Sequence, residues 1–124
     1  MAEDKTTLSP AEWHIMESLW AGAPKLGSDI VKDLQASVGW SRSTTLTMLK
    51  RMSDKGYIMV RTIKGVKAYF PMIQRSAEVR KETESFLNRV YGGNIGLLLA
   101  TYAEQKGLTA TEKSELREIL DALK

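Results

Sequence analysis

Cysteine is absent from this 124-residue sequence, and histidine occurs once, as His14. Disulfides and thiolate metal sites are therefore excluded. With a single imidazole, nucleophilic and zinc chemistry are poorly supplied. His14 projects from the polar side of a helix with no acidic or thiol partner in the pattern, and it reads as an ordinary surface residue. No stretch reaches 18 consecutive apolar residues, so no membrane span is expected. The N-terminal MAEDKTTLSP lacks the apolar centre of a signal peptide, and the expected location is the cytoplasm. There is no Gly-rich phosphate loop, no metal-spaced His/Asp/Glu cluster and no internal repeat. Neither a metal nor a cofactor is expected, and an enzyme is the weakest of the function classes.

Acid and base are nearly balanced over the whole chain, but not locally. Hydrophobic residues make up 43% and charged residues 27%, the balance of a soluble globular chain. The length suits one modest domain, or a small domain with an appendage. Residues 1–73 carry ten Lys/Arg against seven Asp/Glu; residues 74–124 carry eight of each. Within residues 42–67, seven cations face a single acid, Asp54. A basic patch on a nearly neutral chain points to a polyanionic partner for that region.

The patch begins in WSRSTTLTMLKRMSDKG, residues 40–56. Ser41 is suited to cap a helix, since its oxygen can accept a first-turn amide. Gly56 stands where a left-handed stop residue belongs, after Lys55. Between them Thr45, Met48, Leu49 and Met52 recur at helical spacing and form an inward stripe. Ser43, Leu46, Thr47, Lys50 and Asp54 fall on the opposite side, flanked by Arg42 and Arg51. A small, hydroxyl-bearing face edged by cations is what a helix entering a DNA major groove needs.

Upstream, Ser9-Pro10-Ala11-Glu12 combines an N-cap serine, proline at the first helical position and a capping-box glutamate. It predicts a helix from Pro10 to about Ala21, with Ile15, Met16, Leu19 and Trp20 inward and Trp13 at the edge. Gly22-Ala23-Pro24 breaks it. A second helix is expected from Ser28 to Ser37, capped by Gly27 or Ser28, with Ile30, Val31 and Leu34 inward. Downstream, Tyr57–Ile63 and Val66–Phe70 are two β-prone runs joined by Lys64-Gly65, with Pro71 ending the pairing. Three helices and a basic hairpin bearing Arg61, Lys64 and Lys67 follow the winged-helix order, in which the third helix enters the major groove. The alternative is a winged-helix adaptor that binds protein and not DNA.

After residue 73 the character changes. Residues 75–91 read as a helix with Val79, Thr83, Phe86, Leu87 and Val90 on one stripe. Residues 94–105 are apolar nearly all round, and Thr109-Ala110-Thr111-Glu112 is a second capping box opening a last helix. Three short helices cannot bury that much apolar surface among themselves, and a second copy of the chain is the natural cover. The expected fold is mainly α: a winged-helix DNA-binding domain over residues 1–73, then a three-helix dimerisation domain over 74–124. Base edges are assigned to Ser43, Thr44, Leu46 and Thr47. Phosphates are assigned to Arg42, Lys50, Arg51, Arg61, Lys64 and Lys67. The dimer contact is assigned to Phe86, Leu87, Val90, Ile95, Leu98, Leu99, Tyr102, Leu116, Ile119, Leu120 and Leu123.

An ordered series of residues resembles the penicillinase repressor family of BlaI- and MecI-type proteins, with the copper-responsive CopY as a cousin. It runs through Ser9, Ala11-Glu12-Trp13, Met16, Trp20, Trp40-Ser41, Thr44, Thr47-Met48-Leu49, Arg51, Lys55-Gly56, Tyr69, Pro71, Ser85-Phe86-Leu87-Asn88-Arg89 and Tyr91-Gly92. The resemblance covers almost the whole chain. It implies a homodimeric transcriptional repressor on a palindromic operator with TACA/TGTA-type half-sites, controlling a resistance or transport gene. For BlaI and MecI it also implies release by cleavage after a membrane sensor's signal. Three positions depart from the pattern. Arg42-Ser43 replaces the usual Pro-Lys, and Leu46 stands where glutamine is common. Thr101–Tyr102 replaces asparagine before the aromatic at the cleavage position, so no sensor or protease is assigned to this chain. The CopY cysteines are missing, which excludes copper sensing by that route.

Overall fold

Ser9 caps the first helix as its motif predicts. In a computed structural model that describes residues 7–123, the Glu12 amide donates to Ser9 Oγ and the Ser9 amide donates back to Glu12 Oε1. This helix, α1, spans Pro10–Ala21. A two-residue strand, β1 (Lys25–Leu26), follows, and then α2 (Gly27–Val38) and α3 (Arg42–Asp54). The hairpin is β2 (Ile58–Ile63) and β3 (Val66–Pro71). Three more helices complete the chain: α4 (Arg75–Tyr91), α5 (Ile95–Lys106) and α6 (Ala110–Ala122). No helix among the described residues is long and apolar enough to cross a membrane.

Two expectations need correction. The N-cap of α2 is Leu26, with no side-chain hydrogen bond; neither Gly27 nor Ser28 takes that place. Strand β1 was not expected; it pairs antiparallel with β3, Lys25 opposite Tyr69 and Leu26 opposite Ala68, giving the sheet order β1-β3-β2. Pro71 ends the pairing as expected, as the last member of the ladder, opposite Ile58. A terminal position is one where a strand tolerates a missing amide.

Two turns depend on positive φ. Gly56 has φ +85°, and past it the Tyr57 amide reaches back to the Met52 carbonyl while the Gly56 amide reaches Ser53. This double closure ends α3 and aims the chain into β2. At the hairpin tip Lys64 and Gly65 have φ +53° and +80°, the two-residue turn whose twist suits antiparallel strands.

The chain divides into two compact units, residues up to Thr83 and residues from Glu84. The first has a core of Leu8, Ile15, Met16, Leu19, Ile30, Leu34, Leu49, Met52, Ile58 and Tyr69, so α1, α2, α3 and the sheet all contribute. Trp20 packs on its edge and donates Nε1–H to the Ile73 carbonyl at 2.9 Å. Lys25 joins β1 to α1 and α2, donating to the Ser18 carbonyl and to Asp33 at 2.6 Å. In the second unit α5 and α6 start at Asn94 and at the Thr109/Glu112 capping box, and neither helix has a buried residue.

Candidate nucleic-acid interface

The N-terminus of α3 is organised by hydroxyls. Ser41 Oγ accepts the Thr44 amide at 3.2 Å and donates to Thr44 Oγ1 at 3.0 Å, which leaves the Thr44 hydrogen free to donate outward. Thr45, Leu49 and Met52 are buried, and Met48 is half-buried. The expected stripe therefore faces the core, and the helix is held with its other side to solvent. Arg42, Ser43, Thr44, Leu46, Thr47, Lys50 and Arg51 are all exposed.

The hairpin separates its three cations. Side chains alternate between the faces of a strand, and directly opposed partners share a face. Val60 opposes Tyr69 and Thr62 opposes Lys67, so Lys67 lies on the face that holds the buried Tyr69. Val60, Lys67 and Tyr69, with Leu46, Leu49 and Lys50 of α3, line an open groove of about 570 Å³. Arg61, opposite Ala68, lies on the other face with Ile63 and Val66, which are about half exposed. Lys64 sits at the tip. The structure thus brings Lys67 beside α3 and turns Arg61 away.

Two cations of the basic stretch are already engaged. Lys55 Nζ lies 2.7 Å from Glu12 Oε2, joining the end of α3 to the start of α1. Burial works to raise the Glu12 carboxyl, but hydrogen bonds from Lys55 and from the Ser9 amide outweigh it and hold it below its ordinary value. The same contact raises the Lys55 ammonium. Lys50 lies 3.6 Å from Asp54 in a well-exposed pair, which leaves it available at little cost. Among the described residues, Arg42, Arg51, Arg61, Lys64 and Lys67 make no ion pair. Among the same residues no three acids or histidines gather to hold a metal.

Gly27, Ser28 and Tyr69 lie beside this face, walling a second groove with Arg42, Leu46 and Lys67. Sequence reasoning missed them as site residues. Only the pairing of β1 with β3 brings them there, and a two-residue strand has no periodic signal.

In the second unit Phe86, Val90, Ile95, Tyr102, Ile119, Leu120 and Leu123 are exposed, Leu123 at 74%. Leu87, Leu98, Leu99 and Leu116 are half-buried. Thr101 and Tyr102 lie within α5, where the Thr101 hydroxyl donates to the Leu97 carbonyl at 2.8 Å.

Residues 8–122 match the family model described as penicillinase repressor. The chain is 29% identical over 114 residues to the methicillin resistance regulatory protein MecI of Staphylococcus aureus, covering 92% of this chain and 93% of that protein. It is 31% identical over 114 residues to the penicillinase repressor of Bacillus licheniformis, covering 92% and 89%. The solution structure of the DNA-binding domain of the repressor BlaI superposes with a TM-score of 0.51 at 30% identity, over 56% of this chain and 84% of that one. The monomeric form of Bacillus licheniformis BlaI in complex with the blaP half-operator gives 0.53 at 29% identity, over 59% and 89%. The first unit is a winged helix, with α3 in the place of the recognition helix and β2–β3 as the wing. The chain belongs to the penicillinase repressor family.

Proposed function

We propose that this chain is a DNA-binding transcriptional repressor that acts in the cytoplasm as a homodimer on a palindromic operator. The observation that carries the reading is the outward face of α3, small, hydroxyl-rich and cation-edged, with Lys67 of the wing set beside it. Helix-turn-helix proteins place such a helix in the major groove and orient it by phosphate contacts. Ser43, Thr44, Leu46 and Thr47 read base edges; Arg42, Lys50, Arg51, Lys64 and Lys67 neutralise phosphates. Arg61, on the far face of the wing, contributes least. The related BlaI is the protein whose structure holds a half-operator, which supports the same partner here.

The dimer reading rests on α5 and α6. Neither helix buries a residue within one chain, although α5 carries Ile95, Leu97, Leu98 and Leu99. Contiguous apolar surface of this kind marks an interaction site, and a two-fold pair places two α3 helices on two half-sites. TACA/TGTA-type half-sites in front of a resistance or transport gene are the operator to try first.

The test is a gel-shift titration of the full chain on a TACA/TGTA palindrome and on a scrambled duplex, at two salt concentrations. Saturable binding that prefers the palindrome by about a hundredfold, with a complex of dimer size, is expected. Equal weak binding to both duplexes would reject the operator. No binding even at low salt would sink the DNA reading and put the protein-binding adaptor in its place.

A further inference from the structure

We propose that Ser41 is a positioning residue for base reading: its hydroxyl sets the direction of the Thr44 hydroxyl, so that Thr44 donates a hydrogen bond to an acceptor on a base edge. The inference rests on the DNA contact proposed for α3. It adds the polarity of one contact, and a residue that acts on the base only through its neighbour.

A threonine hydroxyl has one hydrogen and two lone pairs, and it rotates to suit its partner. Left free on an exposed face, it would meet base donors and base acceptors alike and discriminate poorly between them. Within a helix the backbone can break that symmetry. Thr83 and Thr101 donate to the carbonyls four residues back, Val79 and Leu97, each at 2.8 Å, and their hydrogens are spent. Thr44 lies in the first turn of α3, after the N-cap Ser41, and its surroundings act in the opposite sense.

Ser41 Oγ accepts the Thr44 amide at 3.2 Å and donates to Thr44 Oγ1 at 3.0 Å. The one hydrogen of Ser41 is thereby used. Its contact with Ser43 Oγ, at 3.5 Å, can then run only from Ser43 to Ser41. Ser41 has one donated and two accepted bonds, the full complement of a hydroxyl. The three side chains form a directed chain, Ser43 to Ser41 to Thr44. A hydroxyl that accepts a hydrogen bond becomes a stronger donor. The chain therefore ends on the polarised O–H of Thr44, which is exposed. A base donor placed against Thr44 leaves that hydrogen unused, whereas an acceptor takes it. In the major groove the acceptors are purine N7, guanine O6 and thymine O4; the amino groups of adenine and cytosine are donors. Thr44 selects the first group.

Capping and polarity are separable. Aspartate caps a helix as well as serine does, but a carboxylate cannot donate. In Ser41→Asp it accepts both the Thr44 amide and the Thr44 O–H, which turns the hydrogen inward. In Ser41→Thr both bonds of Ser41 can form again.

The test uses the full chain and the duplex that the wild type selects from a randomised pool. Wild type, Thr44→Val, Ser41→Asp and Ser41→Thr are compared, each shown to be folded by a cooperative urea transition. The major-groove acceptors of the duplex are removed or weakened one at a time, N7 by a 7-deazapurine, guanine O6 and thymine O4 by thio substitution. The quantity read is the affinity for each altered duplex relative to the parent. The added charge in Ser41→Asp weakens binding to every duplex alike and is screened by salt, so it cancels in these ratios.

At one base, the alteration is expected to weaken wild type and Ser41→Thr roughly three- to tenfold, the worth of one hydrogen bond. Thr44→Val and Ser41→Asp should be insensitive to it. Sensitivity that persists in Ser41→Asp would reduce Ser41 to a helix cap and overturn its positioning role, as would sensitivity that Ser41→Thr fails to restore. A wild type that selects a sequence but shows no base at which it differs from Thr44→Val rejects this inference alone. A wild type that selects no sequence rejects the DNA reading and this inference with it.

Discussion

Replacing Lys55 by methionine removes one end of the clasp between α3 and α1. The contact is 2.7 Å long, and its two ends differ: the Glu12 side chain is 8% exposed and that of Lys55 54%. Removing one partner of a fully buried pair costs about 3–5 kcal/mol, whereas exposed pairs contribute about 0–1 kcal/mol. Solvent reaches the Lys55 end, and Glu12 keeps the Ser9 amide at 2.9 Å. The expected cost at neutral pH is therefore about 1–2 kcal/mol. Glu12 is held below 4.5, so the stability it contributes is present above pH 4.5 and is lost as pH falls through its folded value. Lys55 is held above 10.5, so its share is present below pH 10.5 and is lost as pH rises through its folded value. The gap between wild type and variant should be flat between those limits and narrow at both ends. Trp13, Trp20 and Trp40 are the three tryptophans of the chain and all lie in the first unit. Urea titrations followed by their emission therefore report that unit. Equal urea midpoints at pH 7, or a gap that does not narrow on acidification, would refute this account of the clasp.

Thr45 is fully buried, and its hydroxyl has no partner among the described residues. Thr45→Val keeps the shape, removes the unsatisfied group and is expected to stabilise by about 1 kcal/mol in the same titration. Lys67→Ala should lower the slope of log affinity against log salt by about one, and Arg61→Ala by clearly less. Equal slopes for the two would contradict the facing of the wing. Leu46→Ala is expected to cost on the order of 1 kcal/mol at one base pair; a uniform loss across operator variants would remove Leu46 from base reading. Leu120→Glu puts a charge where 65% of a leucine is exposed. It should shift the chain to monomer in sedimentation without altering the first unit, and an unchanged dimer would displace α6 from the interface.

Much of this molecule is written in short local signals. Ser9 with Glu12, Ser41, and Thr109 with Glu112 each satisfy amides within three residues, so the starts of α1, α3 and α6 need no tertiary partner. Lys64-Gly65 likewise sets the hairpin register, pairing Ile63 with Val66. The start of α2 was missed for the complementary reason. Leu26 has no acceptor to advertise a cap, and its position is held by pairing with Ala68, 42 residues away in the chain.

The inward stripe Thr45, Leu49 and Met52 and the polar side of α3 followed from the sequence alone, because a helical period assigns faces without knowing the partner. The tertiary structure alone decided which of the cations on and beside that helix can act together. Lys55 is withdrawn by Glu12, Lys67 is turned to α3, Arg61 is turned away, and Tyr69 is brought to the end of α2. Each of these depends on strand register or on a contact between distant segments. Charge has no period, so a count of seven cations in residues 42–67 could not say which of them share a face.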